Sequence, residues 1–335
     1  MEPKERMYRL RERLPHALLH IGMPKAASTY LQSYWHRSSL VDLVHNDIFQ
    51  TVSHLSNAVK NKETNSNVPI GLNGNNENYQ GRPMVISSEH IINLCDATHL
   101  QLFQDNCARF MKTIAPHGKV LIVTREPISW VRSYYNFSLK TGSIMSLAEF
   151  VEQEGERLLN ISDISYIYNI YAELFGAENV LIMPMERLKE DNDGFFQTVS
   201  KELCMPLYDA SVDQKGLQSN LSIPPDEINY VRQFNRLIHA LDSHCEPSAE
   251  SLNNNGPLGA LRRALWHYLD HVIDHSDKEM RQAVLIEFLG EAKLTHNEDD
   301  FPEDFLSRIY ANFDIVRDLP QYLPYRELYT ASAHS

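Results

Sequence analysis

What the chain has little of narrows it before any motif is read. It carries four cysteines in 335 residues (Cys95, Cys107, Cys204, Cys245), none in C-x-x-C spacing. They form neither a disulfide framework nor a zinc set and read as reduced thiols filling small core positions. Positive charge is short as well: 31 Lys and Arg against 44 Asp and Glu leave a formal net charge of -13. That excludes capture of nucleic acid or anionic lipid by the global field, so any anion must be caught by a local basic site. No apolar run reaches the length of a membrane span, and residues 1–15 are highly charged, unlike a secretory leader. The expectation is a cytoplasmic protein, in which the Asn-x-Ser triplets at Asn136, Asn160 and Asn220 carry no glycan. No internal repeat, heptad or cluster of metal-ligating residues is evident, so neither a solenoid nor a coiled coil nor a metal site is expected. With 43% hydrophobic residues, the chain can bury a sizeable core as one large domain or one domain with an elaboration.

The stretch that organises the chain is 18–32, LLHIGMPKAASTYLQ. An apolar run stops at Gly22, and a helical pattern begins at Ser28 with Tyr30, Leu31 and Tyr34 as its apolar positions. A strand, loop and helix in this order aim backbone N–H groups and the positive end of a helix dipole at one spot, which is how a fold binds phosphate. Lys25 adds a full charge, and Ser28 and Thr29 add hydroxyls. A Walker A loop is excluded by spacing, because Lys25 comes three residues after Gly22 and is followed by Ala26 and Ala27. With Ala rather than Gly at position 27, the loop is expected to keep right-handed or extended angles there.

A second stretch, 120–140, reads VLIVTREPISWVRSYYNFSLK. It is a β-branched strand ending at Arg125, then Pro127 in the first turn of a helix that carries Ser133. Between the two stretches lies a strand at 84–87, followed by Glu89 and His90, a carboxylate and an imidazole where an open α/β sheet binds ligands. Further helices are expected over 98–113, with Leu102, Phe103, Phe110 and Met111 facing the core, and over 147–159, 164–175, 186–203, 261–273 and 277–288, with a strand at 179–183. Trp130, Tyr134, Tyr135 and Phe137 read as core and pocket wall. Residues 60–82 and 243–258 have loop composition, the first read as contacting substrate or as a linker, and the residues from about 300 onward fit no pattern.

Together, Lys25-Ala-Ala-Ser-Thr and Arg125 with Ser133 resemble the sulfotransferases that use 3′-phosphoadenosine 5′-phosphosulfate (PAPS). The helix, Phe175-Gly176, strand and Glu186-x-Leu order is similar too, and 217–225, with Asn220 and Ser222, resembles the segment that closes over the nucleotide, or else is a turn before a helix. The resemblance implies an α/β, P-loop-like three-layer fold with a mainly parallel central sheet flanked by helices. Residues 17–225 would form the nucleotide-binding core and 226–335 a mainly helical appendage. It implies that Lys25, Ala26, Ala27, Ser28 and Thr29 hold the 5′-phosphosulfate, that Arg125 and Ser133 hold the 3′-phosphate, and that no metal takes part. The acceptor is expected to be a small molecule or carbohydrate. Its proton goes to Glu89, which the resemblance favours, or to His90; the alternative is that Glu89 only caps the following helix. Two other functions fit less of the sequence. A nucleoside triphosphate-dependent kinase lacks its Gly-Lys-[Ser/Thr] here, and an inactive nucleotide-binding module would not need Lys25, Glu89, Arg125 and Ser133 intact.

Overall fold

The computed structural model describes residues 17–44, 46–61, 82–214, 217, 223–224, 227–244, 259–260, 264, 278–289 and 301–331. The chain divides into two compact units that interleave in sequence: Met1–Trp130, Gly155–Ser219 and Glu303–Ser335 form one, Val131–Glu154 and Asn220–Pro302 the other.

The first unit is built on a five-stranded sheet in the order β2-β3-β1-β4-β5, with every pairing parallel. The strands are β1 (Leu18–His20), β2 (Asp42–Val44), β3 (Met84–Ser87), β4 (Lys119–Thr124) and β5 (Val180–Pro184). Leu18 lies opposite Val85 on one side and Lys119 on the other. Every residue of β1 and β3 is buried, which is why these strands read as unbroken apolar runs rather than alternating ones. At β1 the chain changes direction across the sheet, with β2 and β3 to one side and β4 and β5 to the other. The crevice beyond the carboxyl ends of strands at such a switch point is where ligands bind in open α/β sheets.

The helices among the described residues are α1 (Ser28–Arg37), α2 (Asn46–Lys60), α3 (Leu100–Ile114), α4 (Pro127–Lys140), α5 (Leu147–Ile161), α6 (Ile164–Phe175), α7 (Met185–Glu190), α8 (Asn192–Glu202), α9 (Ile228–His244), α10 (Lys278–Leu289) and α11 (Glu303–Ala311). Several differ from the sequence reading. In α3 the buried stripe runs through Leu100, Phe103, Cys107, Met111 and Ile114 at helical spacing, so Leu102 falls off it and is 57% exposed. Residues 186–203 form two helices, because Asp191 leaves helical geometry and its carboxylate accepts from the Gly194 amide to cap α8. Trp130 and Tyr135 are buried, whereas Phe137 is exposed. Cys204 is also exposed, in a turn at φ 51°, while Cys95 and Cys107 are buried thiols. Helix α6 does end at Gly176, at φ 89°, where a side chain would be strained.

The residues that fitted no pattern are part of the sheet's own unit. After α11, two short 3₁₀ turns, Asp314–Val316 and Leu323–Tyr329, bury Phe313, Val316, Tyr322 and Tyr329. Gln321 donates to the Ile182 carbonyl of β5 at 2.8 Å, and Arg317 ties the segment to itself through the Tyr310 and Tyr329 carbonyls.

In the second unit, the Arg281 guanidinium of α10 makes a buried two-pronged ion pair with Glu227, just ahead of α9, at 2.6 and 2.8 Å. Asn235 on α9 donates to the carbonyls of Leu139 and Ser143, each at 2.8 Å. This unit carries a cleft of 460 Å³ lined by Ile144, Met145, Glu149, Glu152, Gln153 and Arg236, none of them a residue the sequence singled out for chemistry. The expected helix over 261–273 and most of the loops at 60–82 and 243–258 lie outside the described residues.

Candidate functional site

The loop after β1 is held by its neighbours rather than by side chains of its own. Parallel pairing continues past the strand, with Ile21 and Met23 donating to the carbonyls of Leu121 and Val123 in β4. The chain then turns, the Ala26 amide bonding to the Met23 carbonyl at 3.1 Å. The Trp130 indole N–H holds the Pro24 carbonyl at 2.7 Å, and Arg125 Nη1 holds the Lys25 carbonyl at 3.2 Å. With these carbonyl directions fixed, the backbone reverses into α1 by placing Lys25 (φ 65°) and Ala27 (φ 63°, ψ 16°) in the left-handed region. The expectation of right-handed or extended angles at Ala27 is therefore overturned, because tertiary bonds to the loop outweigh the Cβ penalty. Left-handed residues alternating with others turn successive N–H groups to one side, a concavity that takes anions.

Three further observations describe that concavity. Helix α1 begins at Ala27 with no side-chain cap, so its first amides are not satisfied by a capping group. The Ser28 hydroxyl is buried and finds no hydrogen-bond partner among the described residues. Gly22 matters for space: a Cβ there would lie 2.7 Å from Ser28 Oγ and 2.9 Å from His20 Nε2. A buried orphan hydroxyl, an uncapped helix start and a left-handed loop carrying Lys25 fit a phosphate-sized anion.

Behind the loop stands a buried polar row that sequence reasoning missed. His20 Nδ1 and Ser87 Oγ share a 2.8 Å hydrogen bond, and Gln32 of α1 donates to the same Ser87 oxygen at 3.1 Å. The His20 ring meets Trp35 edge-on at 5.2 Å. His20 read as one apolar position in a strand, and nothing in its spacing distinguished it.

The sequence matches no protein-family model and no curated protein. Among solved structures, it is similar to a sulfotransferase from Alicyclobacillus acidocaldarius, 14% identical, at a TM-score of 0.42, over 69% of this chain and 97% of that one. So distant a likeness carries no argument about activity.

At the end of β4, Arg125 is half-buried, with its Nε finding no partner among the described residues. Burial pushes its guanidinium below the usual arginine range, and the charges of Glu186 and Glu126 push it back up. Glu126, which the sequence reading passed over, caps α4: its carboxylate accepts from the Ile128 amide at 2.8 Å and the Ser129 amide at 2.6 Å. The start of α4 is thus filled by the protein's own carboxylate, unlike the start of α1. Ser133 lies on α4, half-buried, in the second unit.

At the end of β3, the helix-capping role goes to Ser88, whose hydroxyl accepts from the His90 amide at 3.3 Å, and not to Glu89. Glu89 and His90 open a 3₁₀ turn, Glu89–Ile92, both half-buried, and the His90 ring meets Phe49 edge-on at 4.8 Å. Lys25, Glu89 and Arg125 therefore stand beyond the carboxyl ends of three adjacent strands, β1, β3 and β4. Asn220 and Ser222 lie outside the described residues. Among the described residues, no group of three or more His, Cys, Asp and Glu side chains could hold a metal ion, and no helix is long and apolar enough to cross a membrane.

Proposed function

We propose that the chain is a sulfotransferase that moves a sulfuryl group from PAPS to a hydroxyl of a polar acceptor, a carbohydrate above all. The observation that carries this reading is the pairing of two cationic turns: Lys25 in an uncapped, left-handed loop and Arg125 hydrogen-bonded to that loop's backbone at the next strand end. A nucleotide with phosphates at both its 3′ and 5′ positions needs two such turns side by side, and a nucleoside diphosphate needs one. PAPS supplies a sulfuryl group on a phosphate leaving group, so that transfer breaks one S–O bond and forms another to the acceptor oxygen.

The chain's own residues then have distinct tasks. The 26–29 amides with the Ser28 and Thr29 hydroxyls bind the 5′-phosphate, and the Lys25 ammonium offsets the negative charge that grows on the bridging oxygen. Arg125 takes the 3′-phosphate through charge-assisted hydrogen bonds. Glu89, with a carboxylate that caps no helix, receives the acceptor's proton, and His90 beside it orients the acceptor. Without the Glu89 carboxylate the chemical step should slow while the nucleotide still binds: Glu89→Gln is expected to lower kcat by about 100-fold. A Gln variant of near-full activity beside an inactive His90→Ala would move the base to His90.

Calorimetry tests the reading itself. Adenosine 3′,5′-bisphosphate should bind far more tightly than ADP, and Arg125→Ala should weaken it by about 2 kcal/mol while leaving ADP affinity nearly unchanged. Equal affinity for the two nucleotides would sink the proposal.

A further inference from the structure

Two carboxylates flank Arg125, yet neither pairs with it. Among the described residues, its guanidinium has one hydrogen bond, to the Lys25 carbonyl, although the charges of Glu186 and Glu126 both reach it. A half-buried arginine between two acids ordinarily closes an ion pair, and an arginine so paired is a poor anion ligand.

The acids are engaged elsewhere, in part by one segment near the end of the chain. The Tyr329 hydroxyl donates to Glu186 Oε2 at 2.7 Å, and the Glu126 amide donates to Glu186 Oε1 at 3.0 Å. The Tyr310 hydroxyl donates to Glu126 Oε1 at 3.1 Å, beside the two α4 amides that hold the same carboxylate. The Tyr322 and Tyr329 hydroxyls also contact Thr124 Oγ1, at 2.6 and 3.3 Å, immediately before Arg125. Three buried tyrosines from residues 310–329 thus bond to the chain on both sides of the arginine.

We infer that Tyr329, seconded by Tyr310, is a positioning residue that occupies the acids flanking Arg125 and so keeps its guanidinium available to an anion. The inference rests on Arg125 being an anion ligand, as proposed above. Burial holds the Tyr329 and Tyr310 phenols above their ordinary range, so both stay protonated donors across working pH. Loss of the Tyr329 hydroxyl leaves Glu186 Oε2 open to pair with Arg125, whose charge it already meets, in competition with Lys189. If Arg125 is captured in nine molecules of ten, the apparent affinity for an anion falls by about tenfold with the ligand contacts unchanged.

The test uses the full chain and adenosine 3′,5′-bisphosphate as probe. Tyr329→Phe is expected to bind it about tenfold more weakly, with KM for the donor raised and kcat kept, and Tyr329→Phe combined with Glu186→Gln is expected to return to within about twofold of the parent. A structural role for Tyr329 predicts no such rescue, so a double variant as weak as Tyr329→Phe overturns the inference, as does a Tyr329→Phe protein that binds like the parent. Should Tyr329→Phe fail to fold, Glu186→Gln alone decides: binding as tight as the parent or tighter supports the inference, and weaker binding overturns it. A parent protein that ignores the probe overturns the sulfotransferase reading instead. The crystal structure of Tyr329→Phe then still answers here, since Glu186 paired with Arg125 supports the inference and an unmoved Glu186 overturns it.

Discussion

Ala27 shows how far a single residue can be pushed by its surroundings. Its left-handed backbone costs an alanine about 1 kcal/mol, which the bonds from Trp130 and Arg125 to the preceding carbonyls offset. A glycine removes that cost, though it adds freedom to the unfolded chain. Ala27→Gly should therefore stabilise the protein by about 0.5 kcal/mol, read from the midpoint of urea unfolding at unchanged slope. A lowered midpoint would show that the loop is not left-handed at this position in solution. Lys25 shares the backbone geometry and carries the charge the proposed chemistry needs, so it offers no such substitution.

Among the elements, those whose residues obey a local rule were legible and those assembled from distant parts were not. Strands β1, β3, β4 and β5 are short, largely apolar runs, buried throughout in β1 and β3, and α6 is bounded by the Asp163 cap and Gly176, signals that lie at the element itself. Ser28 as the start of α1 and Arg125 at the end of β4 were readable for the same reason. Residues 312–331 were opaque because their core positions are largely tyrosines in irregular turns, without the spacing of helix or strand, and α11 ahead of them offers only Phe305, Ile309 and Tyr310 as a short apolar stripe. Glu126 was passed over with them, and Glu186 read only as part of the Glu186-x-Leu pattern, because the tyrosines that hold the two carboxylates carried no signal of their own. Asp209 was missed too, because its Ser38 and Ser39 partners lie some 170 positions away and only Ser211 is local.

That aspartate is one group through which acid acts on the sheet's unit. Its buried carboxylate accepts from Ser38 Oγ, from the amide and hydroxyl of Ser39, and from the amide and hydroxyl of Ser211, and its own backbone brackets the Tyr34 hydroxyl of α1. Burial alone would raise its pKa, but the hydrogen bonds from Ser211 and Ser39 hold it well below the ordinary 3.8. The folded state therefore binds this proton more weakly than the unfolded chain does. The stabilisation is fully present above the unfolded pKa and is lost as pH falls through that value toward the folded one. Asp209→Asn should cost about 2 kcal/mol at neutral pH, and its stability should fall less steeply than the parent's below about pH 4. Parallel pH curves for the two proteins would assign the acid limb to other groups.

The interleaving of the two units carries a consequence for how the protein is made. Translation delivers β1 to β5 first and then the whole of 220–302, which belongs to the other unit. Only afterwards come Tyr310, Tyr322 and Tyr329. The carboxyl ends of β4 and β5 thus emerge with Thr124, Glu126 and Glu186 still lacking their tyrosine partners, and closing that gap spans sequence separations from 143 to 205 residues. Contacts of such range are slow to form. On the ribosome, Arg125 therefore passes through an interval in which only the backbone amides of Glu126, Ile128 and Ser129 are on hand to hold its neighbouring acids, without any tyrosine from the end of the chain.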